Sequence, residues 1–390
     1  MRWPGTILEE ALGLLLAAAR PRGWEYVGLE GLLGRVLAED LAAPHDLPPA
    51  HVCLKDGYVV RAGGWPGRAR VIGSCGPGEV VRGPGEGEAV EAYSGCHVEG
   101  DGLALVPREE AAPSEGWVHI ARDPAPLENL APRGSSARSG DVVLRRGTVV
   151  GPLDLELVGI LGRSFVRVYQ RPRVALISVG SELSLEPPSR TTRYLTVGSI
   201  VRALGGEVIN AGVVGDSVGE VERALEESLA SADVVVTIGG SGPSSRDVTY
   251  SAVEAMGPEA AFRGIDVAEA ARSGGAVVRG KPVIVLPGPR GPALNGAALL
   301  LAPVVSAAAG ALDPPYLSLR VPLARPIVAR SRSIVWVRLT SEGAEPVRQD
   351  YYWAGISGAD GYLLGGPGEI SGVVEVRLPA FLRRPFPSDA

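Results

Sequence analysis

Lysine is almost missing from this chain: its 390 residues hold two, Lys55 and Lys281, beside 36 arginines. Asparagine occurs three times, glutamine, like methionine, twice, and cysteine three times. Hot environments deplete these last four residue types. A GC-rich genome produces the same arginine-for-lysine bias, so composition leaves a thermophilic source and a GC-rich one both open. The three cysteines, Cys53, Cys75 and Cys96, are odd in number and show no CxxC or Cys/His ligand spacing, which indicates neither a disulfide framework nor a zinc site. A reducing cytoplasm is the simplest home. Positive charge is also in deficit. A formal net charge of −6 and a pI near 5.5 argue against nucleic acid or an anionic membrane as partner, because both demand a basic field. Any anion must then be held locally. Long apolar runs are absent too: the longest, near Ala297 to Leu312, is interrupted by Pro303 and falls short of the ~20 residues of a membrane helix. Glu9 and Glu10 stand where a basic leader would be.

What is present divides by texture. Leu8, Leu12, Leu15, Leu16 and Ala19 recur at helical spacing, and LEGLLGRVLAED, Leu29 to Asp40, suggests a second short helix. Residues 43–127 are rich in glycine and proline with short alternating runs (YVVRA, RVIGS, LALVP), which read as a β-rich domain. A helix with Leu153, Leu157 and Ile160 on one side follows. Residues 173–312 alternate strand-like runs (RVALIS, EVINAGVV, VVVTI, PVIVL) with helical patterns, the signature of a parallel sheet covered by helices. Residues 313–390 return to short strands between Gly/Pro turns and read as a small β-barrel or sandwich.

Three strands of the α/β region run into suggestive loops. In VVVTIGGSGPSSRD, Val234 to Asp247, a β-branched run opens into glycines and serines and ends on an aspartate before a helical pattern. Ligands of open α/β sheets lie beyond the carboxyl ends of the strands, where a glycine loop lets backbone N–H groups approach a phosphate at a helix N-terminus. Gly239, Gly240 and Gly242 supply that freedom, Ser241, Ser244 and Ser245 add hydroxyls, and Asp247 either caps the helix or holds a divalent cation. SVGSEL, Ser178 to Leu183, and VLPGPRGP, Val285 to Pro292, are the other two loops.

At this point the chain resembles the molybdopterin molybdenumtransferases, the MoeA and gephyrin-E-domain family, over nearly its whole length. The family's DNSAMDGYA is similar to HVCLKDGYV here, TGDEL to Gly180–Leu183, GGVSVGxxD to GGSGPSSRD, and LPGNP to LPGPR. NLAPRG, with Arg133, resembles the NIRRRGED run, and YSGC, Tyr93 to Cys96, the TGA turn. The resemblance implies a homodimer with a split helical dimerisation domain (1–42 and 128–172), a MoaB/MogA-like α/β domain, and an active site between the α/β domain of one subunit and the β-rich domain of the other. It implies insertion of molybdate or tungstate into adenylylated molybdopterin with release of AMP, assisted by Mg2+, and a molybdopterin adenylyltransferase as a possible partner. Asp56, Glu182 and Asp247 match the family's acidic positions and are the expected catalytic and metal-binding groups. Gly180, Ser181, Pro287, Gly288, Arg246, Arg290 and Arg133 join the glycine–serine loop as expected substrate contacts.

The departures bear on function. Ser181 replaces the aspartate of TGDEL, and the lysines of the family's KPGKP run have no match, since the stretch after Ile265 reads DVAEAAR. Arg246, Arg272 and Arg290 lie in or beside the expected cleft, and guanidinium binds oxyanions bidentately. The alternative to a working transferase is a catalytically degenerate paralogue that binds molybdopterin or nucleotide and assists assembly.

Overall fold

The computed structural model describes residues 6–64, 66–181, 192–242, 247–348 and 356–382. The chain divides into two compact units, Met1–Glu39 with Arg146–Leu155 and Ser164–Ala390, and Asp40–Arg145 with Glu156–Arg163.

The first unit is built round a six-stranded sheet. Its elements are β1 (Arg173–Val179), α1 (Thr192–Ala203), β2 (Glu207–Val214), α2 (Val218–Ser231), β3 (Val234–Ile238), α3 (Val248–Ala255), β4 (Ala260–Phe262), β5 (Gly274–Val278), β6 (Lys281–Leu286) and α4 (Arg290–Gly296). The strand order is β2-β1-β3-β6-β5-β4. The first four run parallel, as the alternating pattern predicts, and β5 and β4 add antiparallel at one edge. Because a strand alternates faces, Val174, Leu176, Val234, Val236 and Ile284 join one apolar core, and Ala175, Ile177, Val235, Val283 and Val285 the other. Every residue of β3 is buried, which is why VVVTI shows no polar alternation. The first core also takes Leu8, Ala11 and Leu15 of the N-terminal helix, Leu8–Ala18.

Beyond α4 the helix continues through a π-helical turn, Ala297–Leu301, into Ala302–Ala308. Pro303 offers no N–H to the preceding turn, and a π-bulge is one way a helix accommodates such a break. Arg290–Ala308 is long and apolar enough to cross a membrane by length and composition, but 78% of it is buried in this unit, where it forms the centre of the core. The C-terminal strands form a five-stranded antiparallel sheet, ordered Tyr316–Pro322, Val373–Pro379, Gly361–Gly365, Ser333–Thr340, Gly343–Pro346, and a separate pair, Ile327–Ala329 with Gly368–Ile370.

Two local expectations are corrected. Leu29–Asp40 is not a helix: only a 3-10 turn, Leu29–Gly31, forms before Gly34 takes φ +71° and Val36 and Leu37 bridge to Val149 and Val168. Glycine at positions 31 and 34 costs a helix about 1 kcal/mol each relative to alanine, while backbone pairing satisfies the same groups. The helix Pro152–Ile160 forms, but it buries Val158 and leaves Leu153 and Ile160 exposed.

In the second unit a six-stranded sheet and a four-stranded sheet enclose two small cores. Here the cysteine reading fails. Cys75, at the end of strand Arg68–Cys75, is bonded to Cys96 in the turn after strand Glu88–Ala92, and Cys53 alone remains a free thiol. The partners are 21 residues apart and meet because Cys75 pairs in register with Ala92, four residues before Cys96. Only strand pairing creates that proximity, and it leaves no spacing motif.

Candidate functional site

The parallel strands β1, β3 and β6 all end on the same edge of the sheet, and the three loops singled out above follow them there. Gly239 donates its amide to the Leu286 carbonyl at 2.9 Å, joining the glycine loop to the β6 loop. Gly180 donates to the Val214 carbonyl at 3.0 Å. The loop must be glycine at its start. Gly239 and Gly240 have φ of +106° and +67°, and a Cβ on Gly240 would lie 2.4 Å from Thr249 Oγ1. Thr249 is fully buried and its hydroxyl donates to the Gly239 carbonyl at 3.1 Å, fastening the loop to the first turn of α3.

Two cavities flank this loop. The larger, about 230 Å³, is lined by Asp216, Gly240–Gly242, Arg272, Pro287, Gly288 and Pro289. The smaller, about 50 Å³, is lined by Asp247, Tyr250, Arg263, Gly264 and Ala271 and shares Ser241, Gly242 and Arg272 with the first. Ser241 borders both and is 8% exposed, and its hydroxyl has no hydrogen-bond partner among the described residues. A buried hydroxyl without a partner is costly unless a ligand or water completes it.

Asp247 is the N-cap of α3: its Oδ1 accepts the Tyr250 amide at 3.3 Å. Burial pushes its carboxyl above the usual range; the Tyr250 amide and the Arg263 guanidinium, 3.9 Å from Oδ2, pull the other way without prevailing. Tyr250 ties the site together. Its hydroxyl donates to the Arg272 carbonyl at 3.2 Å, and the Arg263 guanidinium lies over its ring at 5.3 Å while pairing with Glu254. Arg272 is exposed at the cleft, and its side chain has no partner among the described residues.

Ser181, where a family aspartate is replaced, is clasped to a carboxylate. Its amide donates to Asp216 Oδ2 at 3.0 Å, and its Oγ accepts the Asp216 amide at 3.2 Å. Asp216 lies in the loop after β2, the one strand end passed over by the sequence reading, although the same rule about carboxyl ends of strands would have pointed to it. Tyr250 and Arg263 carried no signal in isolation.

The expected residues therefore separate. Gly180, Ser181, Gly239, Gly240, Ser241, Gly242, Asp247, Pro287 and Gly288 gather at one sheet edge, with Arg272. Arg290 begins α4, exposed, and lines neither cavity. Asp56 and Arg133 belong to the second unit, where Asp56 accepts the Ser94 amide at 2.8 Å and Arg133 pairs with Asp46 at 2.7 Å. Glu182, Ser244, Ser245 and Arg246 lie outside the described residues. Among the described residues no three His, Cys, Asp or Glu side chains gather as a metal cage. Asp216 lines the larger cavity and Asp247 the smaller, so the described residues offer a magnesium ion one carboxylate in each, and such an ion keeps waters and shares substrate phosphate.

The family described as "MoeA N-terminal region (domain I and II)" matches residues 6–162, and "Probable molybdopterin binding domain" matches residues 175–307, which hold the cradle. The molybdopterin molybdenumtransferase of Haemophilus influenzae is 28% identical over 249 residues, 61% of each chain. The molybdopterin molybdenumtransferase of Staphylococcus aureus is 28% identical over 74% of this chain and 72% of its own. The solved structure of a molybdopterin biosynthesis MoeA protein from Pyrococcus horikosii superposes with a TM-score of 0.74 at 27% identity, covering 96% of this chain and 99% of that one. With both family regions present in order and the fold of a solved member over nearly its whole length, the chain belongs to the MoeA family of molybdenum cofactor biosynthesis, the molybdopterin molybdenumtransferases.

Proposed function

We propose that this protein inserts molybdate or tungstate into adenylylated molybdopterin and releases AMP. The observation that carries the reading is the buried Ser241 hydroxyl between the glycine loop and Arg272, unpartnered among the described residues, where a phosphate or oxyanion oxygen supplies an acceptor. The N-terminus of α3 adds its dipole, and loop amides approach the anion where no side chain intervenes. Arg272 takes the part played by the absent lysines, as a fork for an oxyanion. In the hydrolytic step a water oxygen bonds to the adenylyl phosphorus, the bridging oxygen leaves with the pterin phosphate, and Asp247 receives a water proton. Magnesium, when bound, would supply charge neutralisation of the phosphates, with Asp247 as the carboxylate that the cradle offers it. Asp56, Arg133 and Glu182 are assigned to the reaction on resemblance alone.

The test is AMP release from adenylylated molybdopterin, with magnesium and molybdate or tungstate, without oxygen. Asp247→Asn keeps the helix cap and should lower turnover on the order of 10²–10⁴-fold, the usual weight of a general base. The wild-type rate should climb with pH through the raised ionisation of Asp247, because only the charged form accepts the proton, and the variant should lose that limb. Wild-type turnover in Asp247→Asn would remove the aspartate from the mechanism. Binding without AMP release would turn the reading into that of a retired, ligand-holding paralogue.

A homodimer is part of this proposal. Trp24, Tyr26 and Phe165 are 51%, 63% and 65% exposed on the paired strands Trp24–Gly28 and Phe165–Tyr169. Such aromatic exposure suits an interface. Sedimentation should give twice the chain mass for the wild type and shift toward one chain for Tyr26→Asp with Phe165→Asp; a monomeric wild type would end the idea.

A further inference from the structure

The turn Tyr93–Cys96 meets the Asp56 segment in the second unit. Asp56 is exposed, and its Oδ1 accepts the Ser94 amide at 2.8 Å; Ser94 is exposed as well. The turn is anchored on its other side by the Cys75–Cys96 bond, both of whose cysteines are fully buried, and by the Tyr93 amide donating to the Cys75 carbonyl at 3.0 Å. Backbone bonds from Cys53 to the Cys96 carbonyl and from Gly95 to the Cys53 carbonyl, both 2.8 Å, tie it to the strand that leads into Asp56. The amide that holds this acidic side chain is thus two residues from a covalent anchor.

We propose that the Cys75–Cys96 disulfide is a positioning element for Asp56, fixing the Ser94 amide that orients its carboxylate, so that reducing the bond lowers turnover. The claim rests on the role proposed for Asp56 above. Reduction is balanced by a dithiol: its two thiols give two electrons and two protons, the Cys75–Cys96 bond breaks into two thiols, and the dithiol closes to its own disulfide. Since both sulfurs are shielded from solvent, the exchange needs the turn to open, and the oxidised form resists casual reduction. Cys53 is a poor internal competitor. It lies in the same apolar core, where burial pushes its thiol up to about 12, and the thiolate is the nucleophile.

Alkylation in denaturant should label one cysteine per chain before reduction and three after; three labels without reductant would overturn the proposal. Cys75→Ser with Cys96→Ser should slow AMP release on the order of ten- to a hundredfold in kcat with KM unchanged, the scale of a small misplacement of a reacting group. Cys53→Ala should leave the rate as it is. Hydrogen exchange at the Ser94 amide should quicken in the double variant, and in Asp56→Ala with the disulfide intact. If the double variant does not fold, native protein reduced by a dithiol serves in its place. Unchanged kcat together with a still-protected Ser94 amide would make the bond structural only. A wild type that releases no AMP would overturn the functional reading instead, and the Ser94 exchange would still decide whether the bond positions Asp56.

Discussion

Gly240→Ala should all but abolish binding of AMP, used as a probe of the phosphate cradle, while the protein still folds. The new Cβ would lie 2.4 Å from Thr249 Oγ1 and 2.7 Å from Val179 Cγ1, at a φ of +67°. Left-handed backbone costs a non-glycine residue roughly 1–2 kcal/mol, and neither contact partner is the loose end of a long side chain. Thr249 is buried and holds the Gly239 carbonyl, so the loop moves sooner than the helix. Displacing a preorganised donor of this kind costs on the order of 10²–10³-fold. Calorimetric titration with AMP checks affinity, and a melting curve checks folding. Wild-type affinity in a folded Gly240→Ala protein would mean that phosphate binds elsewhere and that the glycines serve only the strand-to-helix turn.

The same loop shows what could be read in advance. VVVTI followed by glycines and an aspartate three residues before Tyr250 is local information: β-branched residues favour a strand, glycine permits positive φ, and Asp caps a helix through the third amide on. Those features reappear with the expected boundaries, β3 at Val234–Ile238 and α3 from Val248. What was hidden depends on pairing across the sheet. Asp216 comes to the cleft from the loop after β2, and its partnership with Ser181 requires β1 and β2 to end together. The Cys75–Cys96 bond needs parallel pairing of two strands of the β-rich unit. Arg290 shows how a helix start redirects a loop residue. It closes the LPGPR run, and as the first residue of α4 it lines neither cavity.

Asn295→Leu should destabilise the first unit by about 3 kcal/mol, a large part of the 5–15 kcal/mol that holds a typical domain. Asn295 is 1% exposed in α4, and its Oδ1 accepts the indole N–H of Trp336, itself fully buried, at 2.8 Å. Its Nδ2 donates to the Glu269 carbonyl at 3.2 Å, and the Glu269 carboxylate in turn accepts the Ile334 amide at 3.0 Å. This chain of bonds joins the helix behind the cradle loops to the C-terminal sheet. Leucine fills the volume but leaves an indole donor and a carbonyl acceptor buried without partners, each costing about 1–3 kcal/mol. Trp336→Phe alone orphans the Asn295 carbonyl in the same way. Combining Trp336→Phe with Asn295→Leu removes donor and acceptor together, so denaturant unfolding should show a loss smaller than the sum of the single variants. Strict additivity would mean that packing of the indole, and not its hydrogen bond, secures the helix against the sheet.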